Sequence, residues 1–212
     1  MPAALLRPDF SVEDRFRGAA LICGVDEAGR GPWAGPVVAA AVVLDRGAVP
    51  AGLDDSKKLS RRRREALFDA IRAAAAVGVG IAAMAEIDAL NILRANDLAM
   101  RRAVAALDPL PALALVDGNR VPPELPCRAE ALVGGDARSL SVAAASIVAK
   151  VTRDSIMAEL AAAHPGYGWE RNQGYGTAEH RAALIRLGVT SHHRRSFRPI
   201  HNILGGKRNI WV

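Results

Sequence analysis

Three short, mostly apolar runs in this chain each stop at or just before a carboxylate, and this coincidence limits the possible folds more than any other feature. Leu21 to Val25 meets Asp26 and Glu27, Leu113 to Val116 meets Asp117, and Ala129 to Val133 meets Gly134, Gly135 and Asp136. Runs this short, bounded by turn residues, suit buried strands better than helices. Neighbouring strands lie about 4.8 Å apart, so acids at one end of adjacent strands form a cluster that repels itself unless cations neutralise it. No Cys or His accompanies these positions, and hard oxygen donors alone favour Mg²⁺ or Mn²⁺ over zinc or copper. Two such ions roughly 4 Å apart can activate a water and stabilise the leaving oxygen of an in-line displacement at phosphorus, which is phosphodiester hydrolysis.

The remaining elements surround these strands. Val37 to Leu44 and Val79 to Ala85 read as two further strands. Ser60 is placed to cap a helix whose apolar face carries Leu67, Phe68 and Ile71. Asp88 to Leu107 reads as one helix, with Leu90, Leu93, Leu98 and Val104 near helical spacing and Pro109 beyond its end. Ser139 caps a long helix running to about His164, and Thr177 caps another over 178–187, closed by Gly188. The link between the first two strands is too short for a helical crossover, so part of the sheet should be antiparallel. The order fits a three-layer α/β domain with an added helical C-terminal segment. Expected boundaries are an N-terminal extension over 1–20, a catalytic core over 21–165, and a basic substrate-binding segment of the same domain over 166–212.

Charge and composition narrow the class further. The formal net charge is +6, yet Arg171 to Val212 holds eight basic and one acidic residue, leaving about −1 for the other 170 residues. Four of the five histidines also fall there, at His180, His192, His193 and His201. Guanidinium groups mixed with an aromatic, as in the run from His192 to Phe197, suit a phosphate backbone. The two longest weakly charged stretches, Pro32 to Leu44 and Ala73 to Ala85, hold thirteen residues each, against the roughly 20 apolar residues that a membrane span requires. No membrane partner is expected. Arg7, Asp9 and Glu13 precede any apolar run, so the order of a secretory signal is missing and the cytosol is the expected compartment. Cys23 and Cys127 make neither a disulfide framework nor a zinc site, and read as small core residues. Asp54, Asp55, Asp88 and Asp154 fall in loops or helices and read as structural. A monomer is expected, since no heptad run is present.

The motifs themselves resemble a known family. Gly24-Val-Asp-Glu-Ala-Gly-Arg-Gly-Pro-Trp-Ala-Gly-Pro36 closely resembles the signature of ribonuclease HII, the type 2 ribonuclease H. Asp55-Ser-Lys-Lys-Leu59, Val116-Asp-Gly-Asn119, Gly135-Asp-Ala-Arg-Ser139, Ala145-Ser-Ile-Val-Ala-Lys150, Gly174-Tyr-Gly-Thr177 and His193-Arg-Arg-Ser-Phe197 follow in that family's order. Trp33 and Arg138 stand where Leu and Lys are more usual, changes that leave the acids intact.

The resemblance implies a ribonuclease H-like three-layer fold, with a mixed five-stranded sheet flanked by helices and a helical C-terminal segment. It implies that Asp26, Glu27, Asp117 and Asp136 are the catalytic acids and hold two divalent ions, Mg²⁺ or Mn²⁺. It further implies that Gly29, Arg30 and Gly31, with Tyr175, recognise the ribose 2′-hydroxyl, the group that separates RNA from DNA. Lys57, Lys150, Arg194 and Arg195 are additional candidates for contact with substrate. The implied substrates are RNA–DNA hybrids and duplex DNA containing ribonucleotides, cut to leave 3′-hydroxyl and 5′-phosphate ends. The sister family, ribonuclease HIII, carries an extra N-terminal domain, whereas only some twenty residues precede the signature here. The competing expectations are a DNA-cutting nuclease on the same fold and a non-catalytic nucleic-acid-binding protein. Asn209 to Val212 are expected either to dock on the body or to contact a replication protein.

Overall fold

The computed structural model describes residues 7–205. Five strands, β1 (Ile22–Ala28), β2 (Val37–Leu44), β3 (Ala75–Ala82), β4 (Leu113–Asp117) and β5 (Arg128–Leu132), form one sheet in the order β3-β2-β1-β4-β5. β2 is antiparallel to both β1 and β3, as the short link requires, while β1, β4 and β5 run parallel. Helices α1 (Arg61–Ala74) and α4 (Leu140–Ala163) pack on one face, and α2 (Met84–Leu90) and α3 (Ile92–Ala105) on the other. The three-layer α/β expectation therefore holds.

Ser60 and Ser139 cap their helices as read, accepting from the amides of Arg63 and Val142. Other boundaries moved. β1 does not stop at the acids: its pairing with β2 continues to Ala28 opposite Val38, after the parallel partner β4 has ended. β3 runs Ala75–Ala82 instead of the expected Val79 to Ala85, because Ala75 and Ala76 already pair opposite Leu44 and Val43, directly after α1. The single helix expected over 88–107 is two, broken at Asn91, whose φ of 71° ends α2 while its side chain accepts from the amides of Leu93 and Arg94. The buried stripe of α3 consists of Ala95, Ala99, Met100, Ala103 and Val104, and both Leu90 and Leu93 are exposed. Small residues let α3 lie close to the sheet, which a search for leucines at helical spacing does not detect.

After α4 come α5 (Trp169–Asn172), α6 (Ala178–Leu187) and α7 (Arg198–Leu204). They share a second core with the far end of α4, built from Met157, Ala161, Tyr167, Trp169, Leu184 and Ile200. The extension before β1 is tied down too. The buried Glu13 carboxylate accepts from the Ser139 hydroxyl at 2.7 Å and the Ser141 amide at 3.1 Å, so it caps α4 just after Asp136. Cys23 is buried and Cys127 partly so, in agreement with small core roles. Among the described residues no helix is long and apolar enough to cross a membrane. Asn209 to Val212 lie outside the described residues.

Candidate active site

The sheet register assembles the acids. Val25 lies beside Val116, so Asp26 and Asp117 follow at the same end of two adjacent parallel strands. Asp136 comes from the 3-10 turn Gly135–Ala137 after β5, and the Asp117 carboxylate holds that turn by accepting from the Gly135 amide at 2.7 Å. Carboxylate oxygens of Asp26, Asp117 and Asp136 all lie within 4.8 Å of one another. Glu27 stands apart from this trio. Successive strand residues face opposite sides, and its carboxylate is paired with Arg30 at 3.0 Å, although it lines the same cavity of about 360 Å³.

The other wall of the cavity is the loop after β1, including Gly29, Arg30 and Gly31. Two buried arginines hold this loop from below. Arg194 donates to the carbonyls of Gly29, Arg30, Gly35 and Pro36. Arg153 donates to those of Ala34, Pro36 and Gln173. In a trans peptide the carbonyl and the following N–H point in opposite directions, so the amides of Arg30 and Gly31 are turned away from Arg194. Gly29 must be glycine: its φ is +96°, and a Cβ there would fall 1.9 Å from Arg153 Nε. Tyr175 completes the rim and is about half exposed.

The charges are unbalanced without a cation. Burial raises the Asp26 pKa well above the ordinary carboxylate range, and Glu27, Asp117 and Asp136 raise it further. Burial likewise raises Glu27, against the opposing pull of Arg30. Asp136 is raised by burial and then by Asp117 and Asp55. Lys57 answers in part: its ammonium lies 3.6 Å from Asp136, and although burial works against its charge, Asp136, Asp55, Asp26 and Asp117 keep its pKa raised. A buried, self-repelling set of hard oxygen donors fits a divalent ion of the Mg²⁺ or Mn²⁺ kind.

Acids with raised folded pKa values favour the folded state below the unfolded carboxylate pKa of about 4, and that stability is lost as pH rises through the folded values. The gain in Tm from saturating Mg²⁺ should therefore grow as pH rises from 4 to 8. A gain that does not change with pH, or no gain, would contradict the site.

A family model described as Ribonuclease HII matches residues 23–200. The chain belongs to the ribonuclease HII family. Ribonuclease HII of Ruegeria pomeroyi is 61% identical over 202 residues, covering 94% of this chain and 86% of that relative. The crystal structure of ribonuclease H2 from Pyrococcus horikoshii superposes with a TM-score of 0.74 at 27% identity, covering 89% of this chain and 99% of that one. The ribonuclease HII of Archaeoglobus fulgidus, solved in complex with PCNA, gives 0.71 at 30% identity, covering 82% and 93%. The protein is accordingly a ribonuclease H, a hydrolase acting on RNA–DNA hybrids.

Within this ribonuclease HII, the basic candidates separate by position. Lys57 is exposed beside Asp136, and Lys150 lines the cavity while donating to Asp154 at 2.7 Å. Arg195 has an exposed side chain, and its amide is held by Asp88, which also accepts from the Ser196 amide and hydroxyl. Arg194 does not fit the expected contact with phosphate. It is fully buried, and its guanidinium is spent on the loop carbonyls. The basic tail disguised this role, because sequence alone gives the sign of a charge and not its burial. Arg153 was legible as a cation on the long helix, but nothing in the sequence showed that it faces carbonyls instead of phosphate.

Proposed function

We propose that this ribonuclease HII also nicks duplex DNA on the 5′ side of single embedded ribonucleotides, by two-metal-ion hydrolysis that leaves 3′-hydroxyl and 5′-phosphate ends. The observation that supports it most is the placement of the Asp26, Asp117 and Asp136 trio beside a loop whose Arg30 and Gly31 amides are turned away from the buried Arg194. Asp26, Asp117 and Asp136 would hold the ions, with Glu27 beside them. Bound there, divalent ions supply Lewis-acid stabilisation of phosphoryl oxygens and lower the pKa of a water.

The chain's own groups do the remainder. The outward amides of Arg30 and Gly31 suit a 2′-hydroxyl or the adjacent phosphate, which a larger residue than glycine would keep at a distance. The exposed Tyr175 ring suits stacking on the sugar of the ribonucleotide. Lys57 and Lys150 line the cavity and Arg195 has an exposed side chain, which supports a role for each of them in meeting backbone phosphates. For Asn209 to Val212, outside the described residues, the matching proposal is contact with a replication protein; the Archaeoglobus fulgidus relative was solved with PCNA.

The test is a nicking assay on a duplex with one ribonucleotide beside an all-DNA control. Mg²⁺ or Mn²⁺ should permit a single nick 5′ of the ribonucleotide, and chelator should abolish it, with the control intact. Equal cutting of both duplexes would make the protein a general nuclease on the same fold. Binding without cutting would make it a non-catalytic binder.

A further inference from the structure

Two histidines of the C-terminal segment, His180 and His193, are buried, and their hydrogen bonds fix the proton on each ring. Thr190 donates its backbone N–H to His193 Nδ1 at 3.0 Å, so that nitrogen is an acceptor and the His193 proton sits on Nε2. His193 Nε2 lies 3.1 Å from His180 Nε2. The indole N–H of Trp169, a group that can only donate, also reaches His180 Nε2 at 3.1 Å. His180 Nε2 therefore accepts, and its proton sits on Nδ1, 3.0 Å from the Tyr175 carbonyl oxygen. Both rings are buried and uncharged: burial lowers the pKa of His180 and, with the neighbouring His180, that of His193 to about 3. The chain of donors thus has one direction, from Thr190 through His193 and His180 to the backbone of Tyr175.

That carbonyl is the main-chain oxygen of Tyr175, whose exposed ring stands at the cavity rim. The Tyr175 loop is also braced by Trp33, whose amide donates to the Gly174 carbonyl at 2.8 Å and whose ring lies 5.9 Å from that of His180. A Cβ at Gly176 would fall 2.1 Å from the Trp33 ring, so the loop lies flat on that indole. We propose that His180 is a positioning residue for Tyr175, and that its Nδ1–H sets the height of the Tyr175 ring against the ribonucleotide sugar and so sharpens discrimination between ribose and deoxyribose. This rests on the role given to Tyr175 above. Among the described residues His180 is hydrogen-bonded to Trp169, Tyr175, Thr177 and His193 and to none of the four acids, so it acts through the loop.

Two substitutions divide the ring's duties. His180→Asn keeps a donor near the Nδ1 position but leaves the Trp169 and His193 donors without an acceptor. His180→Gln keeps an acceptor near Nε2 but loses the donor to Tyr175. The expected orders are opposite: His180→Gln melts higher than His180→Asn, yet its kcat/KM on a single-ribonucleotide duplex falls about tenfold below that of His180→Asn, the scale of one lost hydrogen bond. Losses in both variants that follow Tm, with Tyr175→Ala impaired, would overturn the positioning role alone. Wild-type kcat/KM in Tyr175→Ala would overturn the reading of Tyr175 and this proposal with it. Imidazole ¹⁵N spectra of the unaltered protein give a check that does not depend on the variants folding. His180 protonated on Nδ1 and His193 on Nε2 support the chain, and the reverse tautomer at His180 overturns it.

Discussion

Replacing Asp26 with Asn should lower kcat on an RNA–DNA hybrid by roughly 10³-fold, the rate equivalent of the several kcal/mol that metal charge supplies to a phosphoryl transition state. Asp26 is buried at the centre of the acids, adjoining Glu27 in the chain and Asp117 across the parallel ladder. Asparagine has nearly the same shape, so the loop and the basic rim stay in place and hybrid affinity should change by less than about threefold, a loss confined to the transition state. The same change removes a desolvated charge and its repulsion with three neighbours. In chelator, the variant should therefore melt above the unaltered protein. Steady-state kinetics, hybrid binding and melting curves check the three parts. Unchanged kcat would remove Asp26 from the hydrolytic centre, and a lower metal-free Tm would show that its charge is compensated inside the fold.

Arg194→Met should be the most destabilising single change at the site, by about 3–5 kcal/mol, the scale of several carbonyls left without a donor at about 1–3 kcal/mol each. Its guanidinium serves four carbonyls at once; those of Gly29, Arg30 and Gly35 would lose this donor, and that of Pro36 would keep only Arg153. Burial, together with the Arg153 charge, lowers the Arg194 pKa to about 9, so it stays cationic at neutral pH and keeps all its donors. Losing it also frees the peptide planes that turn the Arg30 and Gly31 amides outward. Hybrid KM should rise along with the loss of stability, even where the protein remains fully folded. Urea denaturation measures the first effect and cleavage kinetics below the transition measures the second. A stability loss under about 1 kcal/mol would mean the loop supports itself.

The contrast between these two residues shows how far sequence reaches. Asp26, Asp117 and Asp136 were legible because a strand end is a local pattern, and parallel strands must bring such ends together. Ser60, Ser139 and Thr177 were legible for the same reason, since a cap is decided within three residues. Glu27 was legible as an acid but not as the partner of Arg30. Arg194 and Glu13 escaped because their partners lie more than a hundred residues away, at the loop after β1 and at the start of α4. The alanine face of α3 escaped because close packing was needed there in place of bulk. The net charge of the tail was correct as a sum, yet one of its arginines is internal structure.

The shared cation site is tested most directly by Mn²⁺ titration followed through the electron paramagnetic resonance signal of the free ion. The unaltered protein, with hybrid present, should bind Mn²⁺ saturably, and Asp26→Asn, Asp117→Asn and Asp136→Asn should each weaken that binding at least about tenfold. Binding that is the same in all four proteins would place the metal elsewhere and contradict the assignment of these acids.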